Sequence, residues 1–477
     1  MGNKKSAGAK YEERGADGLS ARKMSFTSAS MAFGAWPEAV KMCEPTINAT
    51  LFFKTCPSVE GLVPLVQVVG SYERCSGVPE GTPGKADWRI RYVDFKPEDM
   101  IRTISVNSPD EIHGTIEGLL HDSCRNKGLP WWEIVRIEGP PNTESAVVIR
   151  IDHVIGDGIS LVNLMEQILE DTEGKKLDNI IPASMANKFK KKKTFGQRVS
   201  QFFQCIYYFF VVLGLPAGAF DSNTAFRKKL GKNMVYTWKR KLVKFETMPL
   251  AYIKQLKSEG GVSLNDVMFS CLGGALRKYN LSQGCEVTEK KGKKTLMRAL
   301  MPVAFPRPDV DKNDKSAILR NKWVFVSGDF GVGYEDCMER LHFVNGKMNT
   351  LKNSPLAGVQ LAVQETIPPK LPVNLGRQTV YDTFIRHSII FSNVPGPEKP
   401  VKFGGEQVTE TQMYFNNLVP QVGILSYDGK IFMNMNIDTE AIPGSEALPQ
   451  YFAQELVELS TKLGIEAPLE IINKAKE

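Results

Sequence analysis

Few residues in this chain are equipped for chemistry, and one histidine stands apart. Of the five histidines, His113 and His121 fall in an amphipathic stretch, His342 follows a basic helix start, and His387 stands beside Arg386 before an apolar run. These four read as structural or surface residues. His153 belongs to the string His153-Val154-Ile155-Gly156-Asp157-Gly158. A His-x-x-x-Asp-Gly match alone arises in roughly one chain of this length in twenty, so its context has to carry it. A histidine leaving a buried strand into a glycine-rich turn is held rigidly, and its ordinary pKa near neutrality suits it to act as general base toward a hydroxyl or thiol. Asp157 then reads as a loop organiser paired with an arginine, with Arg298 on a later strand as the candidate partner.

Other catalytic plans lack their residues. The eight cysteines are scattered with no CxxC pair, which argues against a zinc site or a disulfide framework and fits a reducing, cytosol-facing compartment. No clustered metal ligands, no phosphate loop of the G-x-x-x-x-G-K-[ST] type and no G-x-S-x-G elbow are present. A base without a nucleophilic partner implies that one substrate attacks the other directly. Neither a metal nor an organic cofactor is called for.

The elements that must position His153 can be read around it. WWEIVRI (131–137) and AVVIRIDH (146–153) flank the turn-forming EGPPNTES and predict a hairpin whose second strand delivers His153. After Gly158, Leu161, Leu164, Met165, Ile168 and Leu169 recur at helical spacing, so the unit reads strand, tight loop, helix. A second α/β block follows from about 235. Ser263 caps a helix starting near Asn265, and Gly273 with Gly274 would let another backbone approach it. TLMRALMPVAF reads as a buried strand, and Ile389–Phe391 runs into a sharp loop, Ser392–Pro397. VGILSY and KIFMNMNI form a hairpin about Asp428-Gly429, and an amphipathic helix spans 447–463. The 477 residues, 42% hydrophobic and 24% charged, suffice for two domains.

Sixty Lys and Arg against 53 Asp and Glu give a net charge of +7, too small for a general nucleic-acid binder. Between 185 and 244, however, 14 Lys or Arg meet the single acid Asp221. Within that segment lies the apolar run Phe202–Phe220, long enough for a membrane span. Gly214, Pro216 and Gly218 interrupt it, and basic residues flank both ends, which favours an in-plane or re-entrant element over a straight span or a buried helix. The opening MGNKKSAGAK has no apolar core and so reads as no secretory signal. It does satisfy M-G-x-x-x-[ST], making Gly2 a lipidation candidate.

The motifs L-P-W-W-E (129–133), D-H-V-I-G-D-G (152–158), S-L-N-D-V (263–267), M-P-V-A-F-P-R-P (301–308), R-N-K (320–322), S-N-V-P-G-P (392–397) and S-Y-D-G-K (426–430) occur in an order that resembles the bifunctional wax ester synthase/diacylglycerol acyltransferase family. The resemblance covers nearly everything from about residue 30. It implies two related chloramphenicol-acetyltransferase-like α/β domains with an active-site tunnel at their interface, plus a membrane-associated apolar insertion. The expected division is a leader at 1–25, an N-terminal domain at 26–184, a membrane-associating linker at 185–234 and a C-terminal domain at 235–477. The implied activity joins a long-chain acyl-CoA co-substrate to a fatty alcohol or diacylglycerol, with His153, Asp157 and Gly158 as the catalytic motif and Asn265 and Asn393 as oxyanion or substrate-binding candidates. Helix-start and turn-forming roles are the structural alternatives for the two asparagines. Two domains sharing one site exclude a single crossing between them, so the 185–244 segment becomes an anchor on the cytosolic face of a membrane. The endoplasmic reticulum or a lipid droplet is expected, with the plasma membrane as the alternative should Gly2 carry myristate. Rival readings are a carrier-protein-dependent condensation-type enzyme and a non-catalytic lipid-binding protein. Two departures stand out: Asp152 replaces the first of two adjacent histidines usual in the family, and DFGVG (329–333), close to a string of plant acyltransferases, reads as a coincidental turn.

Overall fold

The computed structural model describes residues 17–37, 40, 44–85, 87–125, 128–177, 180, 195–227, 239–305 and 314–477. Gly2, most of the leader and the lysines from 188 to 193 and from 228 to 232 lie outside the described residues.

In the first half the chain forms strands β1 (Thr46–Phe53), β2 (Gly77–Glu80), β3 (Arg89–Tyr92), β4 (Ile101–Ser105), β5 (Trp132–Glu138) and β6 (Ser145–Asp152). Helices α1 (Phe26–Phe33), α2 (Val59–Gly70), α3 (Asp110–Leu119) and α4 (Gly158–Ile168) accompany them, and α5 (Phe195–Gly214) follows. The second half contributes β7 (Arg240–Lys244), β8 (Met248–Pro249), β9 (Arg298–Ala304), β10 (Trp323–Asp329), β11 (Ile389–Val394), β12 (Lys402–Phe403), β13 (Glu406–Phe415), β14 (Gln421–Tyr427) and β15 (Lys430–Asp438). Its helices are α6 (Leu250–Glu259), α7 (Leu264–Ser282), α8 (Glu286–Lys291), α9 (Cys337–Asn353), α10 (Leu356–Thr366), α11 (Val373–Phe384), α12 (Leu448–Leu463) and α13 (Leu469–Lys476).

Two mixed sheets result. One runs β12-β13-β1-β6-β5-β4 and the other β10-β9-β11-β14-β15-β7, with β8 paired to β15. Strand β6 is buried at all eight positions, including Arg150 and Asp152, and pairs with β1 and β5. The hairpins expected around EGPPNTES and Asp428-Gly429 both form, the second through positive φ at Asp428 and Gly429. Helix α7 is capped by Ser263 and Asp266 reciprocally, and a Cβ at Gly273 would come within 2.3 Å of the Phe330 carbonyl oxygen, so two backbones do meet there.

The division at 234/235 does not carry over to the sheets. Strand β13 crosses from the second half to pair with β1, from Ile47 opposite Phe415 to Phe53 opposite Val408, and carries β12 on its other edge. Strand β14 then returns to the second sheet, so the two sheets are joined where β13 passes β14. The strands approach so closely that a Cβ at Gly423 would lie 2.2 Å from the Met413 carbonyl oxygen. Away from this crossing the sheets diverge. Separate cores fill beneath them, one around Trp132, Val147, Leu164 and Phe403, the other around Phe269, Phe330, Met435 and Phe452.

Candidate active site

His153 is the first residue past β6, and its position is fixed from every side. Its backbone N–H donates to the Pro45 carbonyl at 2.7 Å. The preceding Asp152 is fully buried, accepts from the Val154 N–H at 2.9 Å and ion-pairs with Arg125 Nε at 2.7 Å. The other Arg125 nitrogens donate to the carbonyls of Met31 and Ala32 at the end of α1. Asp152 is therefore an anchor for the loop and for α1.

The imidazole contacts a residue from the other half of the chain. Nδ1 of His153 lies 3.0 Å from Oδ1 of Asn321. The amide orientation of Asn321 follows from its partners: Nδ2 donates to the carbonyls of His153 at 2.6 Å and Val154 at 3.2 Å, and Oδ1 accepts from the indole N–H of Trp323 at 3.1 Å. Oδ1 offers only lone pairs, so His153 Nδ1 must carry the proton and Nε2 presents its lone pair. Burial lowers the His153 pKa below 6.5, against opposing pulls that include the Asp157 carboxylate and Asn321, so the neutral base form prevails at neutral pH.

Asp157 ties the loop to the same distant segment. It caps α4 by accepting from Ser160 N–H at 3.0 Å, and its other oxygen accepts from Lys322 N–H at 2.8 Å. Its own N–H donates to the Arg320 carbonyl at 3.0 Å. Asp157 is thus a loop organiser, but Arg298 is not its partner. Arg298 pairs with the buried Asp221 at 2.7 Å and donates to Ala219 and Arg386 carbonyls, because its strand β9 lies beside the segment leading out of α5. Gly156 leaves room that Ser160 occupies, since a Cβ there would approach the Ser160 Cβ to 2.8 Å.

Asn265, near the N-terminus of α7, and Asn393, in β11, are brought together. Asn393 Nδ2 donates to Asn265 Oδ1 at 2.6 Å, leaving the Asn265 Nδ2 hydrogens without an acceptor among the described residues. Asn393 lies in the strand and not in a turn, since β11 continues through Val394 into what the sequence suggests is loop. Both asparagines line, with His153, Asp157 and Gly158, one cavity of about 1260 Å³ between the diverging sheets. It exceeds the roughly 300–1,000 Å³ of a pocket for a drug-sized ligand, and its walls are mainly apolar.

The remaining sequence candidates fall away from the cavity. His387 is buried, bonded to Thr383 O and Ser327 Oγ, and its pKa is pushed down to about 3 by burial and the nearby arginines. DFGVG is a turn: Asp329 accepts from Gly331 N–H, Gly331 has φ +64°, and Phe330 stacks on Phe269 in the core. Asn321 was missed as a site residue, its sole trace being its place in the R-N-K motif.

A profile of the wax ester synthase/diacylglycerol acyltransferase catalytic domain matches residues 78–268, and one of the WS/DGAT C-terminal domain matches 320–460. The chain belongs to the wax ester synthase/diacylglycerol acyltransferase family. It is thereby an acyltransferase-family enzyme. It is 22% identical to wax ester synthase/diacylglycerol acyltransferase 11 of Arabidopsis thaliana over 462 residues, 87% of this chain and 91% of that one. Among solved structures, the wax ester synthase/diacylglycerol acyltransferase from Marinobacter aquaeolei VT8 superposes with a TM-score of 0.58 at 15% identity, covering 93% of this chain and 100% of that one. The EpoB cyclization-docking bidomain of a nonribosomal peptide synthetase from Sorangium cellulosum gives 0.56 at 11% identity over 94% and 86%. The two-sheet fold is thus shared by wax ester synthases and condensation-type domains.

Proposed function

We propose that the protein transfers a long-chain acyl group from acyl-CoA to the hydroxyl of a fatty alcohol, making a wax ester, with diacylglycerol as the alternative acceptor giving triacylglycerol. The observation that carries this reading is His153, held through Nδ1 by Asn321 Oδ1 at 3.0 Å, in the wall of a mainly apolar cavity of about 1260 Å³. Nε2 takes the proton of the alcohol as its oxygen bonds to the thioester carbonyl carbon, and the carbonyl π pair moves to oxygen. The tetrahedral oxyanion is stabilised by the spare Asn265 Nδ2 hydrogens at the α7 N-terminus, with Asn393 fixing the Asn265 amide. Collapse re-forms the carbonyl and breaks the C–S bond, and His153 returns the proton to the departing thiolate. Gly158 adds no side chain where the substrate chains pass. The apolar exposed face of α5 supports action at a membrane surface, and the sequence favours the cytosolic face of the endoplasmic reticulum or a lipid droplet.

The test supplies labelled palmitoyl-CoA with equal hexadecanol and diacylglycerol to the wild type and to His153→Ala. Labelled wax ester or triacylglycerol that falls by about 10²–10⁴-fold in the variant supports the reading and identifies the acceptor. Equal product from both proteins removes His153 from its role. No product without a carrier-bound thioester favours the condensation-type alternative that the shared fold allows.

A further inference from the structure

The exposed apolar side chains of α5 form a pattern. Val199, Phe202, Phe203, Ile206, Tyr207, Phe209, Phe210 and Leu213 are all exposed, with Phe203 at 64% and Phe210 at 66%. Their spacings of three and four place them on one face of the helix. Gln201, Cys205, Tyr208 and Val212, on the opposite face, are less exposed, and α5 packs against α10. A buried core helix would hide the aromatic face, and a single span would not keep one side against the protein. The helix therefore lies along the protein with its aromatic stripe outward, over about 30 Å at 1.5 Å per residue.

The stripe is continuous with the cavity. Leu213 of α5, and Leu375 and Val380 of α11, are exposed on the surface and also line the cavity. Inward from α11, ring contacts lead back to the histidine: Phe384 to Phe325 at 5.2 Å, Phe325 to Trp323 at 4.8 Å and Trp323 to His153 at 5.4 Å. The sequence flanking α5 is mainly basic, with Lys188 and Lys190 to Lys193 before it and Lys228, Lys229 and Lys232 after it, while Asp221 and Arg227, which also follow it, are buried. An exposed apolar helix face set in a basic stretch of sequence matches the apolar layer and anionic headgroups of a phospholipid bilayer.

We propose that α5 and the exposed edge of α11 dock flat on an anionic phospholipid bilayer and open the cavity to it, so that the lipid acceptor passes from the membrane's apolar layer to His153 without crossing water. The passage rests on the acceptor reading above, whereas the docking does not.

The full-length protein is sedimented with phosphatidylcholine vesicles containing phosphatidylserine, and transfer is measured to hexadecanol held in those vesicles and to a short, water-soluble alcohol. The wild type is expected to sediment, and Phe203→Ser with Phe210→Ser is expected to weaken sedimentation at least about ten-fold. Transfer from vesicle-borne hexadecanol should fall in parallel, with transfer to the soluble alcohol unchanged. Val380→Trp, at the mouth, should dock as the wild type does yet lose about ten-fold in transfer to vesicle-borne hexadecanol. Failure of the wild type to sediment overturns the docking, as does a soluble dimer that the serine pair converts to a monomer, which would make the stripe a subunit interface. Vesicle-borne transfer unaffected by Val380→Trp overturns the passage. Sedimentation through the stripe without transfer to either alcohol supports the docking and counts against the acceptor reading.

Discussion

Asn321 determines which nitrogen of His153 is basic. Without its Oδ1 the ring can rotate or place its proton on Nε2, and either change removes the base. Asn321→Ala is expected to lower kcat by about 10²-fold, within the roughly 10²–10⁴-fold that a positioned base contributes, while KM for acyl-CoA stays near wild type. A purely structural role would not move the pH profile, so that profile is the stronger check. Because burial lowers the His153 pKa, wild-type kcat/KM should hold through neutrality and fall only with an inflection below 6.5. Asn321→Asp places a carboxylate against Nδ1, favours the imidazolium and should shift that inflection to higher pH. An unchanged inflection would mean that position 321 does not act through the imidazole. His153 was legible because its motif is local, six residues whose strand and turn can be read directly. Its partner lies 168 residues further along, where no periodicity or spacing links the two.

The loop after β6 and the approach to β10 form one unit through Asp157. One carboxylate oxygen caps α4 and the other takes the Lys322 N–H, so the side chain fastens Lys322, next to Asn321, to the histidine loop, while the Asp157 backbone N–H holds the Arg320 carbonyl on the other side. Asp157→Ala loses the cap, about 1 kcal/mol, and leaves the Lys322 amide without that acceptor, about 1 kcal/mol more. An unfolding midpoint in urea lower by the equivalent of about 2 kcal/mol is expected, together with reduced kcat because Asn321 is no longer held. Asp157→Asn keeps an acceptor oxygen and should recover about half of the stability. A stability equal to wild type in Asp157→Ala would show that the strap contributes nothing. The sequence suggests the organising role of Asp157 but assigns it Arg298, since an acid in a glycine-rich loop invites a side-chain cation. The structure gives it backbone N–H groups, and Arg298 answers Asp221, an acid visible in the sequence only as the exception within a basic segment.

At the scale of the molecule, the cavity exists because two sheets are joined at one crossing and held apart elsewhere. Local patterning revealed both hairpins, α4, α7 and α12, but the second half read as a single block, because pairing between β1 and β13 has no signature in either strand alone. Gly423 is where that topology becomes a constraint. It stands on β14, opposite Asn434 of β15, and the Met413 carbonyl of β13 occupies the space a side chain would need. Gly423→Ala must push β13 away from β14, and with it Phe415, whose ring meets His153 edge-on at 5.6 Å. Overpacking of this kind costs about 1–3 kcal/mol, so the thermal midpoint should fall measurably. Since β13 also walls the cavity through Met413 and Phe415, transfer should fall by more than the unfolded fraction accounts for. The check compares kcat per folded molecule, at a temperature where the variant is still folded, with that of a variant equally destabilised in the core beneath the second sheet, such as Phe452→Leu. If both variants transfer equally well per folded molecule, the crossing serves stability alone. A selective loss in Gly423→Ala would show that the spacing of the two sheets sets the geometry around His153.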